Sequence, residues 1–179
     1  KILRLGEPLS FKELSIEQVQ EYQTQLFSLH QQVVGRQNIK LGEIDENYFY
    51  EMKKVVGDNC KVVGVFKEEN LIAFSTHLFC QSGKNEMHYI GIDYSENEKY
   101  SLYFNMLFYG LKIAIESNQE CLELGRTSHI AKASMGAVAV PQNNYVFLKH
   151  GLAKCGFWII NKFFLSNSSL NDSKVRNPF

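Results

Sequence analysis

The chain has 179 residues, 45% of them hydrophobic, and its 19 Lys and Arg are balanced by 19 Asp and Glu. That supplies one good core and predicts one domain over 1–165, while the zero net charge argues against a long nucleic acid as partner. No apolar run approaches the ~20 residues of a membrane span, and Lys1-Ile-Leu-Arg-Leu is too short for a secretory signal. A cytoplasmic protein is expected, read as a piece of a longer one because the chain lacks an initiator Met. Cys60, Cys80, Cys121 and Cys155 are far apart and form no CxxC pair. They predict free buried thiols and no metal site.

In chain order, Ile2 to Leu5 reads as a first strand, broken by Gly6 and Pro8. Ser15 opens a helix with Gln18 three residues on, the spacing of a capping box. Its apolar face is Ile16, Val19, Tyr22, Leu26, Leu29 and Val33, and Gly35 ends it. A shorter helix starts near Asp45, buries Phe49, Met52 and Val56, and stops at Gly57. Three β-rich runs follow with short turns between them: Cys60 to Lys67, Leu71 to Cys80 and Met87 to Asp93. They predict an antiparallel meander. Ser95 and Glu98 then cap a helix that carries Tyr100, Tyr103, Phe104, Leu107, Phe108, Leu111 and Ile115 on one stripe.

The stretch Cys121-Leu-Glu-Leu-Gly125-Arg126-Thr127-Ser-His-Ile-Ala-Lys132-Ala-Ser-Met-Gly136-Ala137 is the most informative. It reads as a short strand from Cys121 to Gly125 that delivers Arg126 and Thr127 into a turn. A helical turn carrying Lys132 follows, and Gly136-Ala137 closes against a neighbour. An Arg fork and a movable Lys charge beyond a strand end can hold a carbonyl or anionic oxygen. The alternative is an ordinary loop whose cations reach into water. Tyr145 to His150 and Phe157 to Leu165 read as a closing hairpin, and the polar residues 166–179 as a frayed tail.

This order, β-α-α-β-β-β-α-β-α-β-β, resembles the GNAT superfamily of acyltransferases, an α/β (α+β) fold with a mixed, mostly antiparallel sheet flanked by helices. The resemblance implies that the strands Met87 to Asp93 and Cys121 to Gly125 are parallel neighbours that splay apart around an acyl donor. A crossover as long as Glu96 to Ser117 suits only a parallel pair. Gly125-Arg126-Thr127, Lys132, Gly136-Ala137 and Tyr103 in the preceding helix are similar to the Fem-type aminoacyl transferases and related peptidoglycan biosynthesis or recognition proteins. That likeness implies acyl or aminoacyl transfer to an amine, with a small-molecule acceptor or a cell-wall precursor. It also implies aminoacyl-tRNA and a second GNAT-like domain as candidate partners. A non-catalytic domain that binds such a precursor or a partner domain is the rival reading.

The residues assigned to this chemistry are Lys132 and His88 as catalytic groups, and Arg126, Thr127, Tyr103 and Tyr145 as substrate-binding groups. Lys132 would stabilise charge on the acyl carbonyl. Arg126 would grip a carboxylate or phosphate; its alternative is a salt bridge to Glu123. His88, alternating with Glu86 on the fourth strand, has the intrinsic pKa of a general base. Its alternative is a half-buried strand histidine. Tyr103 or Tyr145 would protonate a leaving group. His77 and His129 are weaker candidates. Many GNAT enzymes hold coenzyme A pyrophosphate on a glycine-rich loop after the fourth strand. Here Asp93-Tyr-Ser-Glu96-Asn-Glu98-Lys99-Tyr100 places three carboxylates against Lys99 alone, so acetyl-coenzyme A is expected to bind weakly or not at all.

Overall fold

The structure, a computed structural model, describes residues 8–36, 43–125 and 128–141, together with Gly6, Gly151 and Gly156. The predicted first strand, the closing hairpin and the tail lie outside these residues, as do Arg126, Thr127 and Tyr145. The chain divides into two compact units, Lys1–Gly125 and Arg126–Phe179.

The first unit is a five-stranded sheet in the order β1-β2-β3-β4-β5, with β1 Leu9–Glu13, β2 Cys60–Lys67, β3 Asn70–Cys80, β4 Lys84–Ile92 and β5 Cys121–Glu123. The first three pairings are antiparallel and β4–β5 is parallel, as expected. β5 touches β4 only through Lys84↔Cys121, Asn85↔Leu122 and Glu86↔Glu123. From Met87 to Ile92, β4 pairs with no strand on that side among the described residues. β1 was not anticipated: five residues following Pro8 give little periodicity, and pairing with β2 makes the strand.

On one face lie α1 Ile16–Glu21, α2 Gln23–Val34 and α3 Tyr48–Val56. The capping box forms as predicted, Gln18 N–H donating to Ser15 Oγ (3.3 Å) and Ser15 N–H to Gln18 Oε1 (3.0 Å). The expected single helix breaks at Tyr22, whose φ of −90° and ψ of 7° separate α1 from α2. Val19, Leu26, Leu29 and Phe49 pack on Cys60, Val62, Phe66 and Phe74 to form the core. Gly91 admits the ring of Phe74, since a Cβ there would come within 2.2 Å of it. Val56, expected to be buried, is 37% exposed because α3 ends there at Gly57 (φ +64°).

The helix predicted from Ser95 is two helices, α4 Tyr94–Tyr100 and α5 Leu102–Glu116, parted by Ser101 in the left-handed region (φ 49°, ψ 45°). Asn97 Oδ1 takes the Tyr103 N–H (3.1 Å), and the Asn105 side chain donates to Tyr100 O (2.8 Å), so the break is bonded from both sides. The break rotates the buried face. Leu102, Met106, Leu107, Gly110, Ile113 and Ala114 are inside, whereas Leu111 and Ile115 of the predicted stripe are exposed. Cysteine burial is also corrected: Cys60 is buried, but Cys80 and Cys121 lie at strand ends and are exposed.

In the second unit, α6 His129–Ala133 carries Lys132. Ala137 N–H donates to Lys132 O (3.1 Å) and Gly136 N–H to Ala133 O (3.0 Å), a helix stop that needs positive φ at Gly136 (+87°). Among the described residues a Cβ on Gly136 would meet nothing within 4 Å, and the positive φ is what the stop requires of this glycine.

Candidate functional site

β4 carries the site. A strand turns successive side chains to opposite faces, so Asn85 and Met87 are buried on one face while Glu86 and His88 share the other. The β3–β4 register shifts between His77↔Met87 and Ser75↔Ile90, which sets Thr76 opposite both His88 and Tyr89. This is a β-bulge, and a bulge re-aims side chains. His88 and Tyr89, though consecutive, both approach Tyr48 of α3: the tyrosine rings are 5.5 Å apart and the His88 and Tyr89 rings 4.4 Å.

The polar centre is Glu86–His88–Tyr48. His88 Nδ1 lies 2.9 Å from Glu86 Oε1, and His88 Nε2 lies 3.3 Å from the Tyr48 hydroxyl. A carboxylate only accepts, so in the neutral imidazole the proton is on Nδ1 and the lone pair on Nε2. Burial pushes the Tyr48 phenol above its ordinary value, with the charges of Tyr89, Cys60 and Glu86 adding to it. The phenol therefore stays a proton donor at neutral pH. The His88 side chain is 27% exposed and Glu86 42%, so a solute can reach both. Tyr48 was missed by sequence reasoning: it precedes the core residue Phe49, and nothing local marks it as polar-facing. Its place follows from the fold, which brings the first residue of α3 beside His88 and Tyr89 of β4.

His77 does not belong to this centre. It is fully buried on the α5 face of β3, its Nε2 3.0 Å from Ser75 Oγ, and burial pushes its pKa down to about 4. Gly110 of α5 makes room for it, since a Cβ there would lie 3.0 Å from His77 Cε1. His30 is buried on α2 and donates from Nδ1 to Ile90 O (3.3 Å); desolvation holds its pKa below the ordinary value.

Tyr103 is the second residue of α5, its ring edge-on to Phe104. Lys132 is buried (7% exposed), not the surface lysine weighed against function, and desolvation lowers its pKa. His129 is exposed. Among the described residues no cluster of His, Cys, Asp or Glu could hold a metal, and no helix is long and apolar enough to cross a membrane.

The far end of β4 is built differently. Asp93 caps α4, Oδ1 accepting from Ser95 N–H (2.9 Å) and Ser95 Oγ–H (2.7 Å). The first two amides of that turn are thus already bonded, Tyr94 N–H to Gln32 Oε1 (3.3 Å) and Ser95 N–H to the Asp93 carboxylate. Glu96 is paired with Lys67 at 3.1 Å, a partner absent from the local sequence, while Lys99 lies over the Tyr100 ring at 4.9 Å. The expectation that the carboxylates face Lys99 alone is corrected by the fold, which brings Lys67 from β2.

No protein-family model and no curated protein sequence matches the chain, but solved structures do. An aminoglycoside acetyltransferase from an uncultured soil metagenomic sample, in complex with sisomicin, superposes with a TM-score of 0.57 at 12% identity, over 83% of this chain and 100% of that one. An integron cassette protein from the mobile metagenome of V. cholerae gives 0.58 at 18%, over 84% and 99%. A GNAT family acetyltransferase from Staphylococcus aureus gives 0.56 at 13%, over 78% and 98%. At such identities the likeness is one of architecture, and it agrees with the mostly antiparallel sheet and its parallel β4–β5 pair: this chain has the GNAT fold.

Proposed function

We propose that the protein transfers an acyl group to an amine, with His88 as general base. The observation that carries this reading is the Glu86–His88–Tyr48 chain, at 2.9 and 3.3 Å, in which Glu86 is the last β4 residue paired with β5 and His88 lies just beyond that pairing. The amine nitrogen attacks the acyl carbonyl carbon; a C–N bond forms, and the donor's C–S or C–O bond breaks. The amine proton passes to His88 Nε2, and Glu86 stabilises the imidazolium so formed, a contribution of roughly 10²–10⁴ for a well-placed base. Tyr103 or Tyr145 returns a proton to the leaving group. Lys132, whose ammonium is desolvated, supplies charge to the carbonyl oxygen, and Arg126 with Thr127 holds a carboxylate or phosphate of the substrate.

The donor is bound weakly if it is acetyl-coenzyme A, because Asp93 occupies the helix start where a pyrophosphate would need free amides. With that donor disfavoured, the finer reading has an aminoacyl ester as donor and, from the likeness of Gly125-Arg126-Thr127, Lys132 and Gly136-Ala137 alone, a cell-wall precursor as acceptor. The Asp93 cap also favours a second reading, a GNAT-like module that binds such a precursor without transfer. A melting screen with acetyl-coenzyme A, aminoacyl-tRNA and a muramyl peptide separates them, since a ligand at 100 times its Kd adds about 2.7 kcal/mol. Product mass then decides between enzyme and binder: an acylated amine supports transfer, and stabilisation without product supports the binding module.

A further inference from the structure

We propose that Thr76 is a positioning residue for this site: its hydroxyl clamps the β4 bulge and so keeps His88 and Tyr89 together on the face that meets Tyr48. Thr76 is fully buried. Tyr89 N–H donates to Thr76 Oγ1 at 2.8 Å, and the Thr76 hydroxyl donates back to Tyr89 O at 3.3 Å. One side chain thus serves both backbone groups of the residue that the bulge removes from the β3–β4 ladder.

Both bonds fall on the residue whose direction is unusual. Regular alternation would turn Tyr89 away from His88 and toward the face that buries Met87. The bulge turns it instead toward Tyr48, His30 and Phe49, at ring distances of 5.5, 4.9 and 6.2 Å. Tyr89 therefore walls the Tyr48 ring on one side while His88 bonds its hydroxyl. Without the Thr76 hydroxyl, two backbone groups of Tyr89 lose their partner, and β4 relieves the loss by straightening. That motion withdraws the Tyr89 ring and releases Tyr48 from His88. The importance for catalysis rests on the proposed role of His88, but the clamp itself is a statement about ring positions and is testable without any substrate.

The test is NMR on the whole chain carrying Thr76→Val and Thr76→Ser. Valine keeps the branched shape without the hydroxyl; serine keeps the hydroxyl without the methyl. In the unaltered protein the Tyr89 amide should exchange at least tenfold more slowly than an unstructured amide. Ring contacts from Tyr48 to both His88 and Tyr89 should be visible. Thr76→Val should lose that protection and both contacts, and Thr76→Ser should retain them. The proposal is overturned by a Tyr89 amide that exchanges freely in the unaltered protein, by ring contacts surviving in Thr76→Val, or by Thr76→Ser behaving like the valine variant. If Thr76→Val does not fold, the unaltered protein and Thr76→Ser still decide. Absence of acyl transfer would remove the catalytic role of His88 and leave these ring contacts as measured.

Discussion

The middle of β4 and its carboxyl end are built in opposite ways. Its middle, at Glu86 and His88, presents a proton acceptor whose lone pair points outward toward Tyr48 and solvent. Its carboxyl end, at Asp93, turns inward on itself, a carboxylate already bonding the first turn of α4. On the proposed reading the middle takes a proton from an incoming amine, and the bonded carboxylate at the end disfavours an incoming phosphate. Proton-accepting chemistry and the grip on a donor are thus separable properties of one strand, and the fold fixes only the strand's path.

The largest effect expected concerns the sheet that carries both regions. His77 is pushed to about 4 from an ordinary 6.5, so the unfolded chain takes up a proton before the folded one does. Stability is full above pH 6.5 and falls as pH drops toward 4, by about 3 kcal/mol at ~1.36 kcal/mol per unit. His30, also depressed, acts in the same direction. Urea midpoints measured across this range should show the loss, and His77→Gln should flatten it. Next, Lys132→Met should cut turnover roughly a hundredfold, as removal of an oxyanion donor does; turnover as in the unaltered protein would mark the lysine as structural. Glu86→Gln should lower the rate about tenfold by leaving the His88 imidazolium without its carboxylate, read from initial rates at neutral pH. The smallest effect belongs to the carboxyl end. Asp93→Ser keeps a helix cap but removes a charge, worth about 1 kcal/mol at contact in water. Calorimetry should find acetyl-coenzyme A binding about fivefold tighter.

Legibility followed the range of the forces involved. The capping box at Ser15 and Gln18, the meander and the stop at Gly57 depend on neighbours in sequence, and all were readable there. The parallel β4–β5 pair followed from the length of the crossover. The break at Ser101 was not legible, because Asn97 and Asn105 bond across it only once the chain has turned. Tyr48 could not be found either: it meets His88 forty positions away, on an element that periodicity marked only for its buried side. The Lys67–Glu96 pair was hidden for the same reason. His88 and Glu86 were visible as alternating residues, but the bulge that sets Tyr89 beside them depends on Thr76 of another strand.

The central claim is that His88 accepts the amine proton in acyl transfer. The most direct measurement incubates the unaltered protein and His88→Gln with isotopically labelled acyl donors, thioester and aminoacyl ester, and a panel of primary amines, reading product mass against time. The account predicts a labelled amide from the unaltered protein and a rate at least about a hundredfold lower from His88→Gln, with melting temperatures close together. Equal rates from the two proteins, or no amide from any donor, would contradict it.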